Sequence, residues 1–364
     1  MTRRQITHLV CTAAVVASGL GAAAPADHRT AHQVLRIHRV QPGESIQQAV
    51  DAARPGDTVV LSPGTYHESV RITVSDLTLR GSLAGPAVIV PGPAATAVAG
   101  ADGTCAAAGN GICVNGTRSS PVKRVTLRSL TIRGFAKNGL WASWTDRLKV
   151  QDVISEKNGQ WGIAQERSVR GVFTRNTAER NGDAGLFVAN TVDREDGAQD
   201  SKGTVISHNR LAGNRIGVTV RRLRNLTVER NEATGNCAAV FVVGDEGTPR
   251  AGAMTVRRNH IHANNKLCPK TPRLPFLQGS GIVLTGTEKT LVTKNRVEDN
   301  VGASPLSGGI VLFKSFVGAP NESNEIRDNV VLRNSTADLA DRDTGRNNTF
   351  RGNTCGVSEP AGLC

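Results

Sequence analysis

Apolar and polar residues alternate along this chain in runs of three to five. Leu226 and Val228 are followed by Ala233, Met254 and Val256 by Ile261, and Val292 by Val297. Such alternation predicts short strands with one face turned to a core, and no helical period fits these units. Asparagines punctuate the alternation. One set stands at 176, 209, 231, 259, 295 and 329, with Asn353 opening a last unit. A second set follows five residues later at 181, 214, 236, 264, 300 and 334, and recurs alone at 138 and 158. From Asn138 the second set is spaced by 20, 23, 33, 22, 28, 36 and 34 residues, so a core unit of 20–24 residues is lengthened by insertions. A repeat of this length signals a stacked-repeat architecture.

Three short strands per unit imply a coil whose rungs stack at about 4.8 Å. An asparagine at each corner can take a left-handed bend at low cost. Its amide can donate to the rung above and accept from the rung below, as in stacked asparagine ladders. Glycines at 139, 162, 185, 217, 281 and 309 precede the strand that follows the second asparagine, where a tight corner is expected. Ahead of the repeats, Ile46, Ala49, Val50 and Ala53 form a helical stripe. Ser45 with Gln48 reads as a capping box and Arg54-Pro55-Gly56 as a stop. Residues 45–53 are therefore expected to cover the open end of the solenoid, and Gly56 to Tyr66 to form a first strand and turn.

The run PGESIQQAVDAARPGDTVVLSPGTYHESVRI, together with the later NxxxxN…GIxV units, resembles the pectin-lyase-like superfamily of right-handed parallel β-helices. It is similar to secreted β-helix repeat proteins of actinobacteria and more loosely to NosD-type repeats. The resemblance spans residues 40–355. It implies an all-β solenoid of nine or ten rungs with an N-terminal capping helix. It implies little about activity, since the superfamily holds lyases, hydrolases, epimerases and proteins without a known reaction. Its specific catalytic signatures are missing: no aspartate pair with G-H-G and R-I-K, no D-P-H-[DE], no W-I-D-H. Arg215-Ile216-Gly217 lacks the lysine of R-I-K.

In such helices an asparagine ladder marks the turn between second and third strands. Insertions then fall on the two corners flanking the first strand: 266–278 and 301–307 before it, 190–203, 244–252 and 314–324 after it. They would wall a groove over that sheet. Alternation points Thr219 outward, with Trp141, Ala164, Phe187, Phe241, Val283 and Val311 stacked on it. Arg221 points outward with Ser143, Glu166, Ala189, Val243, Thr285 and Phe313. Trp141, Trp144, Trp161, Phe187 and Phe241 are candidates to stack on sugar rings. Glu166 and Asp196 are candidate acid or base groups, and Arg221 and Arg222 candidates to neutralise a substrate carboxylate or act as base. The loop carboxylates Asp193, Glu195, Asp196 and Asp200 suit Ca²⁺. His260 and His262 share one strand face, a geometry that can hold Cu²⁺ or Zn²⁺ as in NosD-like metal handling. A solvent-facing pair is the plainer reading.

Residues 1–26 look like a leader: Arg3 and Arg4, an apolar run from Leu9 to Ala24, and Ala24-Pro25-Ala26 as cleavage site. Those 16 residues are short for a membrane span. Thr2-Arg3-Arg4 does not select an export route. Residues 27–39 would then be a flexible segment and 40–364 the β-helix domain of a secreted monomer. Cysteines 105, 113, 237, 268, 355 and 364 remain after cleavage, an even number in an exported chain, which argues for disulfides. Sequence proximity favours Cys105–Cys113 and Cys355–Cys364, leaving Cys237–Cys268. The net charge of +13 suits an acidic polysaccharide or envelope glycan. Aromatics at 3% speak against extended stacking on nucleic-acid bases. The functions in competition are a polysaccharide lyase or hydrolase working in the groove and a non-catalytic binding or structural protein.

Overall fold

Strands in the computed structural model are short, parallel, and arranged in three long sheets of 12, 10 and 11 strands. The structure describes residues 35–92, 105–193 and 196–364, so the expected leader lies outside the described residues. One rung shows how the repeat folds. Leu223–Glu229 lies in sheet 1, Glu232–Thr234 in sheet 2 and Ala238–Val243 in sheet 3. Each strand pairs in register with its counterparts one rung before and after, as Glu232 does with Arg210 and His260. Asn231 and Asn236 stand at the two corners in between. Val228, Ala233, Val240 and Val242 point inward and are at most 1% exposed. Repeated along the chain, these positions fill one continuous apolar column. The rungs outnumber the expected nine or ten because strands near the N-terminus stack without asparagines.

The asparagine ladders form, with a different division of labour at the corner. In the first, Asn176, Asn209, Asn231, Asn259, Asn295, Asn329 and Asn353 are linked by Nδ2 donating to the next Oδ1 at 2.9–3.0 Å. In the second, Asn158, Asn181, Asn214, Asn236, Asn264, Asn300 and Asn334 are linked at 2.8–3.2 Å. Each amide spans three rungs: Asn231 Nδ2 also donates to the Ile206 carbonyl of the preceding rung, at 3.0 Å. The left-handed residue, however, is the one before the asparagine: Arg175, His208, Arg230, Arg258 and Lys294 have φ of 53–56°. The asparagine side chain is turned into the coil, and the residue that makes the bend turns outward. A long cation can occupy that position because its charge stays in water.

The strand-leading glycines also have another reason to be glycine. Gly162 and Gly185 do not have positive φ; a Cβ on Gly162 would lie 2.7 Å from Asn181 Nδ2, and one on Gly185 2.9 Å from Asn214 Nδ2. The ladder amide of the next rung occupies the space of a side chain.

A helix spans Ile46–Ala52 with Ser45 as N-cap, and buries Ile46 and Val50. Ser45 Oγ accepts from Gln48 N at 3.3 Å. The reciprocal partner is not Gln48 but Glu68, whose carboxylate accepts from Ile46 N at 2.6 Å and Gln47 N at 3.2 Å. A carboxylate from the next turn of chain thus satisfies the orphan donors of the helix start. Ile37–Val40, expected to be flexible up to residue 39, is a strand paired with Thr58–Leu61. The cysteines pair as 105–113, 237–268 and 355–364. Among the described residues no helix is long and apolar enough to cross a membrane.

Candidate functional site

The outer face of sheet 3 carries the expected stack: Trp141, Ala164, Phe187, Thr219, Phe241, Val283 and Val311 are successive register partners. Insertions close over it and make a groove of about 840 Å³. Val192 and Asp193, Gly244 and Asp245, Thr271 to Leu274, and Ser315 to Val317 wall it, so four of the five insertions contribute. Leu306 from the fifth is buried in the apolar layer beside it. The Cys237–Cys268 disulfide ties the 266–278 insertion to the corner of the coil.

The floor is drier and more closely packed than the alternation suggested. Phe241, Phe187 and Trp161 are 1, 5 and 4% exposed. Trp161 stacks between Phe187, at 4.0 Å between centroids, and Trp141, at 5.8 Å. Its ring faces are therefore used within the protein. Trp144 takes the left-handed bend at its corner, with the Arg167 guanidinium 5.5 Å above its ring. Trp161, Phe187 and Phe241 line the groove, with Trp161 and Phe187 stacked on each other. The half-exposed Phe316 also lines the groove, its ring 5.8 Å from that of Phe313.

The polar residues separate into three groups. Arg222 is ion-paired with Asp245, both side chains at most 7% exposed, and donates to Thr191 Oγ1 at 3.3 Å. Truncating either would strand a buried charge, which is a structural role. Arg221 and Arg273 both donate to the Val192 carbonyl, at 3.1 and 3.4 Å, and Glu166 Oε1 accepts from Val192 N at 2.9 Å. Glu166 and Asp193 share Arg167, each at 3.8 Å. These contacts fasten one wall. The third group lies apart: Asp196 is exposed and accepts from Gly197 N, and Asp200 is exposed and accepts from Lys202 N. Glu195 lies outside the described residues. Among the described residues no three His, Cys, Asp or Glu side chains gather as a metal site; Asp193 lies 3.8 Å from Arg167, and Asp196 and Asp200 are exposed. His260 and His262 stack on each other at 4.4 Å on sheet 2, and contact Glu298 at 3.2 Å and Glu232 at 3.5 Å.

One residue that alternation did not single out, Asp183, stands at the other end of the groove. Trp161 Nε1 donates to its Oδ2 at 3.0 Å. Burial raises its pKa above the ordinary carboxylate value, while the Trp161 bond and nearby Arg215 pull the other way. Arg215 is 7% exposed and donates to the Pro269 carbonyl at 2.7 Å. Burial pulls its guanidinium below the usual value. A sequence signal existed. The corner from Asn181 to Gly185 is one residue longer than that from Asn214 to Gly217, and Asp183 lies in the longer corner.

A parallel solenoid with an insertion-walled groove over one sheet defines the class of molecule. The chain belongs to the family described as right handed beta helix region, whose model matches residues 71–251 and again 201–360. No curated protein matches. Among solved structures, the chain is similar to the A-module of mannuronan C-5 epimerase AlgE6 of Azotobacter vinelandii, at 17% identity over 86% of this chain and 90% of that one, with a TM-score of 0.56. It is also similar to DFA-IIIase of Arthrobacter chlorophenolicus A6 in complex with DFA-III, at 14% identity over 88% and 83%, TM-score 0.55. XylC in complex with xylose aligns at 8% identity over 81% and 75%, TM-score 0.52. At such identities the likeness establishes the fold alone.

Proposed function

We propose that this protein is secreted as a monomer after cleavage before Asp27, and that it binds and acts on an acidic polysaccharide in the groove over sheet 3. The helix Ile46–Ala52 closes the first rungs of its β-helix domain. The observation that carries the functional reading is the groove itself: an apolar floor, arginines at its rim and a half-buried carboxyl at one end. Fold relatives whose names carry mannuronan, DFA-III and xylose support a carbohydrate as the ligand. Arg221 and Arg273 are positioned to hold substrate carboxylates. Asp183 is the group suited to give or take a proton, because burial beside an indole shifts its titration toward neutrality. Glu166, hydrogen-bonded into the wall, positions the loop that carries Val192. No step in this proposal uses a metal.

The test is a panel of uronic polymers, read for unsaturated products in the ultraviolet and for reducing ends. The expected result is turnover of at least one polymer, with Asp183→Asn lowering kcat by about 100-fold or more while binding persists. Binding on a glycan array without cleavage of any polymer would replace the enzyme by a binding protein that uses the same groove. Equal activity of Asp183→Asn would remove Asp183 from the chemistry.

A further inference from the structure

The edge where sheet 1 meets sheet 2, away from the groove, carries a second regularity. The residues flanking each asparagine of the first ladder read S-H-N-R at 207–210, E-R-N-E at 229–232, R-R-N-H at 257–260 and T-K-N-R at 293–296. These four stretches hold six arginines and lysines against two glutamates. His208, Arg230, Arg258 and Lys294 occupy the left-handed position on successive rungs and are exposed. They form a row one rung apart, about 4.8 Å per step. Arg230, Arg258 and Lys294 form no ion pair among the described residues. The backbone position does not forbid one. Arg175, one rung earlier on the same corner, bonds Asp152 at 2.8 Å, and at other corners Arg124 bonds Asp76 at 2.8 Å and Arg333 bonds Asp299 at 2.7 Å. Beside the row, Glu229 is taken by Arg257 at 2.7 Å, and Glu232 by Arg210 at 3.2 Å. The local carboxylates are thus engaged elsewhere, while like charges stand stacked and unneutralised. Asp328 ends the row on the next rung.

We propose that this corner is a binding track for a linear polyuronate, separate from the groove. A polyuronate carries one carboxylate per sugar, so its charge repeat is of the same order as the rung spacing. An extended chain lying along the coil axis can then meet one cation per rung. A track of this kind holds the protein on its polymer while the groove engages another segment. The inference shares with the proposed function only the acidic nature of the polymer, and it stands if the groove proves inactive.

The experiment uses the mature full chain and polygalacturonate, with binding followed against salt concentration. The track variant is Arg230→Asn/Arg258→Asn/Lys294→Asn, since asparagine tolerates the left-handed bend. The control, Arg118→Asn/Lys149→Asn/Lys289→Asn, removes as many exposed cations elsewhere. Melting temperatures check that both remain folded. Expected are an affinity loss of about tenfold in dilute salt and a clearly shallower salt dependence for the track variant, with less than about threefold loss for the control. Equal losses would overturn the proposal by reducing it to net charge. Tighter, track-dependent binding to duplex DNA would overturn the ligand class. Arg221→Ala/Arg273→Ala separates the two sites: if it abolishes binding while the track variant does not, the groove stands and the track falls.

Discussion

The chain contains two apolar regions that differ in how they are closed. The inner column is built from equivalent positions in successive rungs, such as Val228, Ala233, Val240 and Val242, and two of its corners are sealed over much of its length by asparagines bonded from rung to rung. The layer outside sheet 3 uses Phe187, Phe241, Val283 and Val311 from the coil, but is completed by Leu277 and Leu306 from insertions that have no counterpart elsewhere. Repetition closes the first; individual loops and the Cys237–Cys268 bond close the second. Unlike side chains from the coil and the insertions meet where closure is irregular, and the groove lies there.

The sharpest way to break the inner region is at the ladder. Asn236 is fully buried, accepts from Asn214 N and Nδ2 at 2.9 and 3.2 Å, and donates to the Leu211 carbonyl at 2.9 Å and Asn264 Oδ1 at 2.8 Å. Asn236→Ala leaves several of these groups unpaired in a dry interior. The expected loss is on the order of 4 kcal/mol in urea unfolding. A loss below about 1 kcal/mol would show that water replaces the ladder. Phe241→Ala probes the outer layer, 1% exposed but roofed by loops that can settle inward. Its cost is expected to be smaller, about 3 kcal/mol, with the circular dichroism of the coil retained. Collapse of the whole coil would mean that the two regions are one cooperative unit.

This difference also explains what could be read from the sequence. The strand positions, the outward register from Trp141 to Val311 and the three disulfides followed from alternation, spacing and proximity. The left-handed residue was misplaced by one, because asparagine's tolerance of that bend obscured its buried bonding. The strand glycines mark a tight corner in the sequence, but what requires glycine at Gly162 and Gly185 is a neighbouring amide. The aromatic floor was expected to face a ligand, but Trp161 spends both faces on Trp141 and Phe187. Side-chain packing outside a repeat depends on where insertions fold back, and no period encodes that. Asp183 escaped notice for the same reason: its environment is made by Trp161 on the preceding rung and Arg215 on the next.

The disulfide offers an intermediate test. Cys237→Ser/Cys268→Ser should cost about 2 kcal/mol in the outer layer. Hydrogen exchange should quicken across 266–278 and leave the amides of Asn214 and Asn236 protected. Equal acceleration in the ladder would place the bond's effect in the coil itself.

The smallest expected effect is the most specific. Burial beside Trp161 raises the Asp183 pKa above its ordinary 3.8. A carboxyl whose folded pKa exceeds its unfolded one binds its proton more tightly when folded, so its ionisation weakens the fold. That loss begins as pH rises past 3.8 and is complete once pH exceeds the folded value. Asp183→Asn keeps an oxygen to accept from Trp161 Nε1 and removes the charge. The variant should therefore melt about 2 °C higher than the parent at pH 7, and at the same temperature below pH 3.8. A variant less stable at pH 7 would mean that Arg215 overcomes the desolvation, making Asp183 a fixed anion of the outer layer. The carboxyl could then hold a cationic or hydroxyl group, but could not serve as the proton donor of the groove.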